Sequence, residues 1–307
     1  MAVAESARAR GGERFTLDET RYRQIADVTL FTLTLIIFTG AAVRLTGSGL
    51  GCPNWPKCNG GIFPPLGSHE LIEYGNRMVT GVVGLPALAA AIGAFRLRPF
   101  RPDLVRPALI LPLGVFLQAL LGGITVLLEL EWPVVVLHYT LSCALLVAAA
   151  LLVWRVRRGA DAVTPVHPRA TVLAARALTV FGGLVLVAGA FATAAGPHAG
   201  GAGTGDLVER LHAIRLDTLI HWHGHAAAVM GGACVLLWLY ARRRGSSPML
   251  MRSLTVACVL VAVQGVIGLV QYYNALPAAL VWVHVSLAAV LWLALVFATL
   301  AAGRVAE

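Results

Sequence analysis

Two stretches, QALLGGITVLLELEWPVVVLH at Gln118–His138 and QGVIGLVQYYNALPAALVWVH at Gln264–His284, decide how this chain is read. Each opens on a glutamine, places a glycine four residues on (Gly122, Gly268), crosses a short break and reaches a histidine twenty residues from its start. The apolar runs on either side of the break read as the facing ends of two membrane helices, since about 20 apolar residues cross a hydrocarbon core. The two stretches form a repeat, and their flanks extend it. Upstream, NRMVTGVVG (Asn76 to Gly84) corresponds to HGHAAAVMG (His223 to Gly231), so Asn76 stands in the place of His223. Further upstream, Gly40 to Gly47 and Gly189 to Gly196 are each seven apart, and both run on into glycine-rich loops, TGSGLG and AGPHAGG.

The rest of the chain follows the same pattern. Of its 307 residues 58% are hydrophobic and 13% charged, too apolar for an ordinary soluble domain. Apolar runs recur at 26–46, 70–94, 107–127, 134–154, 171–195, 218–241, 251–271 and 278–302. They lack the alternation of barrel strands, and lipid-exposed backbone must satisfy its own hydrogen bonds, so each run is a predicted helix. The expected fold is an all-α polytopic membrane protein of eight transmembrane helices in two pseudo-symmetric four-helix bundles. Its parts are a cytoplasmic tail (1–25), a first half (26–155), a cytoplasmic linker (156–170) and a second half (171–303). Four spans per half is an even number, so the halves share one orientation and are related by an axis along the membrane normal.

The formal net charge of +9 raises the question of a nucleic-acid partner, and its distribution answers it. Arg8, Arg10, Arg14, Arg21 and Arg23 precede the first span, and Arg96, Arg98, Arg101 and Arg106 follow the second. Arg155, Arg157, Arg158 and Arg169 follow the fourth, and Arg242, Arg243, Arg244 and Arg252 the sixth. The alternate loops carry little positive excess: Lys57 in the first, none beside Glu129 and Glu131, and Arg210 and Arg215 offset by Asp206, Glu209 and Asp217. By the positive-inside rule both termini are cytoplasmic, and the arginines report topology in a lipid bilayer rather than a nucleic-acid partner. The first 25 residues have no apolar core of a signal peptide, so the first span is expected to direct insertion.

Cysteine placement fits this topology. Cys52 and Cys58 fall in the first outer loop, where a disulfide, structural or redox-active, can form; a metal-binding pair is the rival reading, though no second Cys or His pair at zinc spacing accompanies it. Cys143, Cys234 and Cys258 lie within spans and read as apolar packing.

Polar and ionisable groups inside spans are costly and mark sites or interior contacts. At about 1.5 Å per residue, His223 lies roughly 9 Å beyond Asp217, His284 roughly 10 Å beyond Pro277 and His138 roughly 8 Å beyond Pro133, all in the outer half. Two imidazoles at one level across a bundle are what a six-coordinate haem requires, and His223 and His284 make such a pair. The bland alternative, hydrogen-bonded interior histidines, is weakened by the repetition of His138 at His284. His221 and His225 share a helix face, whereas His223 points about 200° away from each neighbour two residues off. The repeat selects His223; His221 and His225 then read as residues supporting the ligand or lying at the interface, with His221 as the fallback ligand.

In the first half Glu73 and Asn76 share a face, with Arg77 beside them. Glu73 reads either as an i,i+4 partner of Arg77 or as a catalytic, proton-handling carboxylate beside a substrate held by His138. Asn76 is a poor iron ligand, so this half is expected to hold its occupant more weakly. Arg44 at the outer end of the first span reads as a partner for a carboxylate such as a haem propionate, or as a snorkelling anchor. Besides a haem-modifying enzyme, a non-catalytic di-haem electron-transfer cytochrome and a transporter are carried as alternatives.

From about residue 26 to 300, VRLTGSGLGCPNWPKC, IEYGNRMVTG, the Gln–Gly–His pattern, AAGPHAG and VQYYNALPAALVWVH resemble haem A synthases of the actinobacterial type. The resemblance implies a plasma-membrane oxidoreductase that converts the C8 methyl of haem O to a formyl group by two hydroxylations and loss of water. It implies haem b iron between His223 and His284, and substrate haem O near His138, Asn76, Arg77 and Arg44. Glu73 then sits at the essential acidic position, and Cys52 and Cys58 match the outer-loop cysteines. It also implies haem sites near the extracytoplasmic side and a haem O synthase (protohaem farnesyltransferase) as partner, with homo-oligomerisation left open. The sequence departs from the family at Asn76, where many members have His, and it lacks a cysteine pair that some carry in the third outer loop.

Overall fold

A computed structural model describes residues 16–159, 165–200 and 211–305. Arg8, Arg10, Arg14, Asp206, Glu209 and Arg210, and parts of the N-terminal tail and of the 156–170 linker, lie outside the described residues. Eight helices are long and apolar enough to cross a membrane. They are α1 (Glu19–Leu45), α2 (Ser68–Arg96), α3 (Pro102–Leu127), α4 (Trp132–Arg158), α5 (Arg169–Ala195), α6 (Leu216–Arg243), α7 (Pro248–Tyr273) and α8 (Ala278–Ala302). Two short strands, β1 (Val166–His167) and β2 (Arg304–Val305), pair in parallel and bring the linker beside the end of α8.

Helix ends follow local chemistry. The Asp18 side chain caps α1 by accepting from the Arg21 N–H, and Ser247 caps α7 by accepting from Leu250. Proline opens α3, α4 and α7, where its missing N–H has no intrahelical partner to lose. Arginines occupy the last turns of α2, α4 and α6, the negative ends of those helix dipoles. Arg157 pairs with Asp27 at 3.0 Å, and Arg101 pairs with Asp103 at 2.8 Å, at this same arginine-rich end.

The helices close into two rings. In the first half α1 packs on α2, α2 on α3, α3 on α4 and α4 back on α1; in the second, α5 to α8 repeat the circuit. Between halves α4 meets α8, α1 meets α8, and α4 meets α5. That set is what a two-fold axis through the α4–α8 seam generates, since it exchanges α1 with α5 and α4 with α8.

The repeat reaches the backbone. Glu129 and Leu130, between α3 and α4, have φ of 51° and 63°; Ala275 and Leu276, between α7 and α8, both have φ of 58°. The Leu130 N–H donates to the Thr125 carbonyl at 2.9 Å and the Leu276 N–H to the Gln271 carbonyl at 2.8 Å. Two successive non-glycine residues in the left-handed region cost roughly 1–2 kcal/mol each, so this turn persists only where surroundings impose it. Packing of Leu130 against Ala199, Leu50 and Val135 is one such constraint.

Seams between helices are built from small residues and buried hydroxyls, as expected where lipid removes the hydrophobic drive for helix association. Ala87, Ala90, Ala91 and Ala94 line the buried face of α2; the Tyr22 hydroxyl donates to the Ala90 carbonyl and Thr29 to that of Pro86. Larger apolar side chains such as Phe31, Leu85, Phe116, Val180 and Leu236 are exposed, the inverse of a water-soluble surface.

Candidate functional site

The two histidines of the second half meet. The rings of His223 (α6) and His284 (α8) have centroids 6.2 Å apart and planes at 77°. The His223 Nδ1 lies 3.1 Å from the Val185 carbonyl oxygen, which can only accept, so Nδ1 carries the proton and Nε2 keeps its lone pair. A Cβ on Gly189 of α5 would sit 2.9 Å from Cε1 of His223, so only glycine lets this imidazole lie against the α5 backbone. The His284 Nδ1 is buried with no hydrogen-bond partner.

That geometry fits a metal held between opposed imidazoles. A ligating imidazole nitrogen lies about 2 Å from its metal and about 1 Å from its own ring centre, so two such rings on opposite sides of one ion stand about 6 Å apart. Among the described residues no three or more His, Cys, Asp or Glu side chains converge as a metal cage would. A porphyrin supplies four donors itself and asks the protein for two, which is the set present here.

The first half reproduces one side of this arrangement. A Cβ on Gly122 would lie 3.4 Å from Cε1 of His138, and one on Gly268 would lie 3.5 Å from Cε1 of His284. The Gln118 amide donates to the His138 carbonyl at 3.2 Å and the Gln264 amide to the His284 carbonyl at 2.8 Å. Nδ1 of His138 is buried without a partner, as in His284. The other side differs: Asn76 accepts a 2.8 Å hydrogen bond from the Thr39 hydroxyl of α1.

Glu73 is buried, and both of its carboxylate oxygens are engaged. One accepts from the Cys52 N–H at 2.6 Å and the other from Arg77 at 2.5 Å. Arg77 also donates to the carbonyls of Cys52, Asn54 and Lys57, so the pair fastens the α1–α2 loop over the start of α2. Cys52 and Cys58 are joined as a disulfide within this loop. Beyond it Asn59 and Gly60 have φ of 48° and 83°, a turn that returns Gly61 to pair with Cys58. The loop carries Trp55 onto α3, where a Cβ on Gly123 would come within 2.5 Å of the indole.

Arg44 donates through Nε to the His198 carbonyl at 3.1 Å, and His198 in turn donates from Nε2 to the Leu276 carbonyl at 2.7 Å. Arg44 thus bridges the C-terminal end of α1 to the loop after α5. His221 and His225 are exposed on α6, with ring centroids 6.3 Å apart, and His221 donates to the Asp217 carbonyl. Trp55, Thr39 and Gly189 escape a reading of the sequence because each acts through a contact between distant segments; only the glycine spacing hinted at Gly189. A surface cleft lined by Asp27, Leu30, Phe31, Val153, Arg157 and Phe297 lies at the arginine-rich end and holds none of these residues.

Residues 23–296 match the family described as cytochrome oxidase assembly protein. A relative called heme A synthase from Listeria monocytogenes is 27% identical over 296 residues, covering 90% of this chain and 94% of that protein. Proteins of the same name from Bacillus pumilus and Bacillus licheniformis are each 33% identical over shorter stretches. The first match covers 47% of this chain and 49% of its relative, the second 41% and 42%.

Proposed function

The chain belongs to the cytochrome oxidase assembly protein family, and from that premise we propose that it is a haem A synthase, an oxidoreductase that converts the C8 methyl of haem O to a formyl group by successive hydroxylations. The observation that carries this reading is the opposed pair His223 and His284 with ring centres 6.2 Å apart, repeated on one side only at His138. Two equivalent strong sites would suit a cytochrome that only carries electrons. One strong and one weaker site suit a resident cofactor beside a substrate that must enter and leave.

In this reading His223 and His284 hold haem b, which when bound supplies a one-electron redox centre. The Val185 carbonyl engages His223 Nδ1 and so leaves Nε2 as the atom that would hold the iron, the outer partner that a metal-bound imidazole requires. His138 holds the haem O substrate from one side, its backbone anchored by Gln118. Glu73 and Arg77 hold the disulfide loop down, and through it Trp55 against Gly123, next to the glycine on which His138 rests. This closes the first half towards the outer water and leaves Glu73 one turn from Asn76, as the acidic group of the substrate side. Arg44 supplies positive charge for a propionate at the same level. The protein sits in the plasma membrane with both termini cytoplasmic and both sites towards the outer face, and a protohaem farnesyltransferase supplies its substrate.

The test is chromatographic identification of haems from membranes expressing the chain together with a haem O source. Haem A is expected with the native chain. Glu73→Ala should lower it by at least about tenfold, the cost of losing a positioned acid or base being about 10²–10⁴ in rate. Normal haem A in Glu73→Ala membranes would remove Glu73 from the chemistry, and haem b alone in native membranes would contradict the synthase reading.

A further inference from the structure

The repeat allows the two halves to be compared position by position, and around the paired ligand positions they agree on one side and part company on the other. On the His138 and His284 side, the glycine contact, the glutamine anchor and the unpartnered Nδ1 are all duplicated. On the opposite side, the second half fills the space beside Gly189 with the His223 imidazole, 2.9 Å from where a Cβ would stand. In the first half the equivalent glycine is Gly40, and a Cβ there would meet nothing within 4 Å. The residue that could have filled this space, Asn76, is shorter than histidine, and its side-chain oxygen is engaged by the Thr39 hydroxyl at 2.8 Å. That hydroxyl is also within 3.2 Å of the Ile36 carbonyl, so Thr39 is itself held by α1.

We propose that the first half is a one-sided iron porphyrin site: His138 ligates from one face, while the space bounded by Gly40 and Asn76 keeps the opposite axial position for a small uncharged diatomic ligand. The proposal rests on the haem reading above and extends it to a binding site of its own. An amide is a weak ligand for iron compared with an imidazole, so Asn76 does not compete for the position. With its oxygen engaged by Thr39, the amide's remaining hydrogen-bonding capacity is largely that of a donor, suited to a polarised diatomic rather than to a cation. The neighbouring positive charge, Arg77, is drawn away by Glu73 and the loop carbonyls. The second half has no such vacancy in its pattern, because two imidazoles complete the coordination of any iron held there.

The experiment uses the purified full-length protein loaded with haem, reduced with dithionite and titrated with carbon monoxide, which binds five-coordinate but not bis-imidazole haem. Native protein is expected to bind one carbon monoxide per chain. His138→Ala should remove that binding, whereas His284→Ala should keep it and, by leaving His223 as the sole imidazole on the second haem, raise the stoichiometry towards two. Asn76→His should abolish it and add a second low-spin signal in electron paramagnetic resonance. Should Asn76→His fail to accumulate, the native titration still decides. Both halves loaded and neither binding carbon monoxide would overturn the proposal, as would undiminished binding in a folded Asn76→His protein. Failure of the underlying reading has a different signature: no Soret band in any variant overturns the haem assignment and this proposal with it.

Discussion

Gly189 and Gly40 occupy matching places in the repeat and make opposite predictions. Gly189→Ala drives a methyl to 2.9 Å from the His223 ring, which must then pull away from the α5 backbone to which the Val185 carbonyl ties it. Haem occupancy of the purified protein should fall at least about tenfold, the range of supporting-residue effects on metal affinity. Gly40→Ala meets nothing within 4 Å and should leave haem occupancy unchanged; equal losses in the two variants, measured by pyridine haemochrome, would show that the close approach at Gly189 is immaterial. At this scale much was legible beforehand. His138, His223 and His284 stand out because an imidazole in an apolar run has few uses, and the repeat chose His223 over His221 and His225. Glu73 was readable as a partner of Arg77 from their spacing, but its bond to the Cys52 N–H was not, because nothing local brings that loop back over α2.

Among the elements, existence was easier to read than extent. All eight helices arise from apolar runs, yet α3 begins at Pro102 rather than near 107, because proline is suited to a first turn and Pro107 is accommodated inside. The left-handed turns at Glu129–Leu130 and Ala275–Leu276 gave no signal at all, since neither contains the glycine or asparagine that usually announces one. They are set by tertiary contacts, and Leu276 accepts from His198 of the loop after α5. Ala275 is exposed, so a glycine there relieves the backbone without removing a packed side chain. Ala275→Gly should stabilise the protein by about 0.5–1 kcal/mol, read as a higher thermal midpoint in detergent. A lower midpoint would mean that the alanine methyl is held by contacts stronger than the strain.

For the molecule as a whole, the contacts between helices are consistent with an internal repeat of four. Two rings of four helices share the α4–α8 seam, and α8 is the element they have most in common. Its Trp292 donates to the Cys143 carbonyl of α4 and its Trp282 to the Phe38 carbonyl of α1, so the helix that bears His284 is stitched to the half that bears His138. Phe38 adjoins Thr39, the residue that engages Asn76. The two candidate sites therefore belong to one mechanical unit, in which one half carries a pair of imidazoles and the other an imidazole and an amide. The most direct test is the low-spin haem signal of the oxidised full-length protein in electron paramagnetic resonance, compared among the native chain, His223→Ala, His284→Ala and His138→Ala. The signal should be present in the native chain and in His138→Ala and absent from the other two. Its survival in both His223→Ala and His284→Ala would contradict the account at its centre.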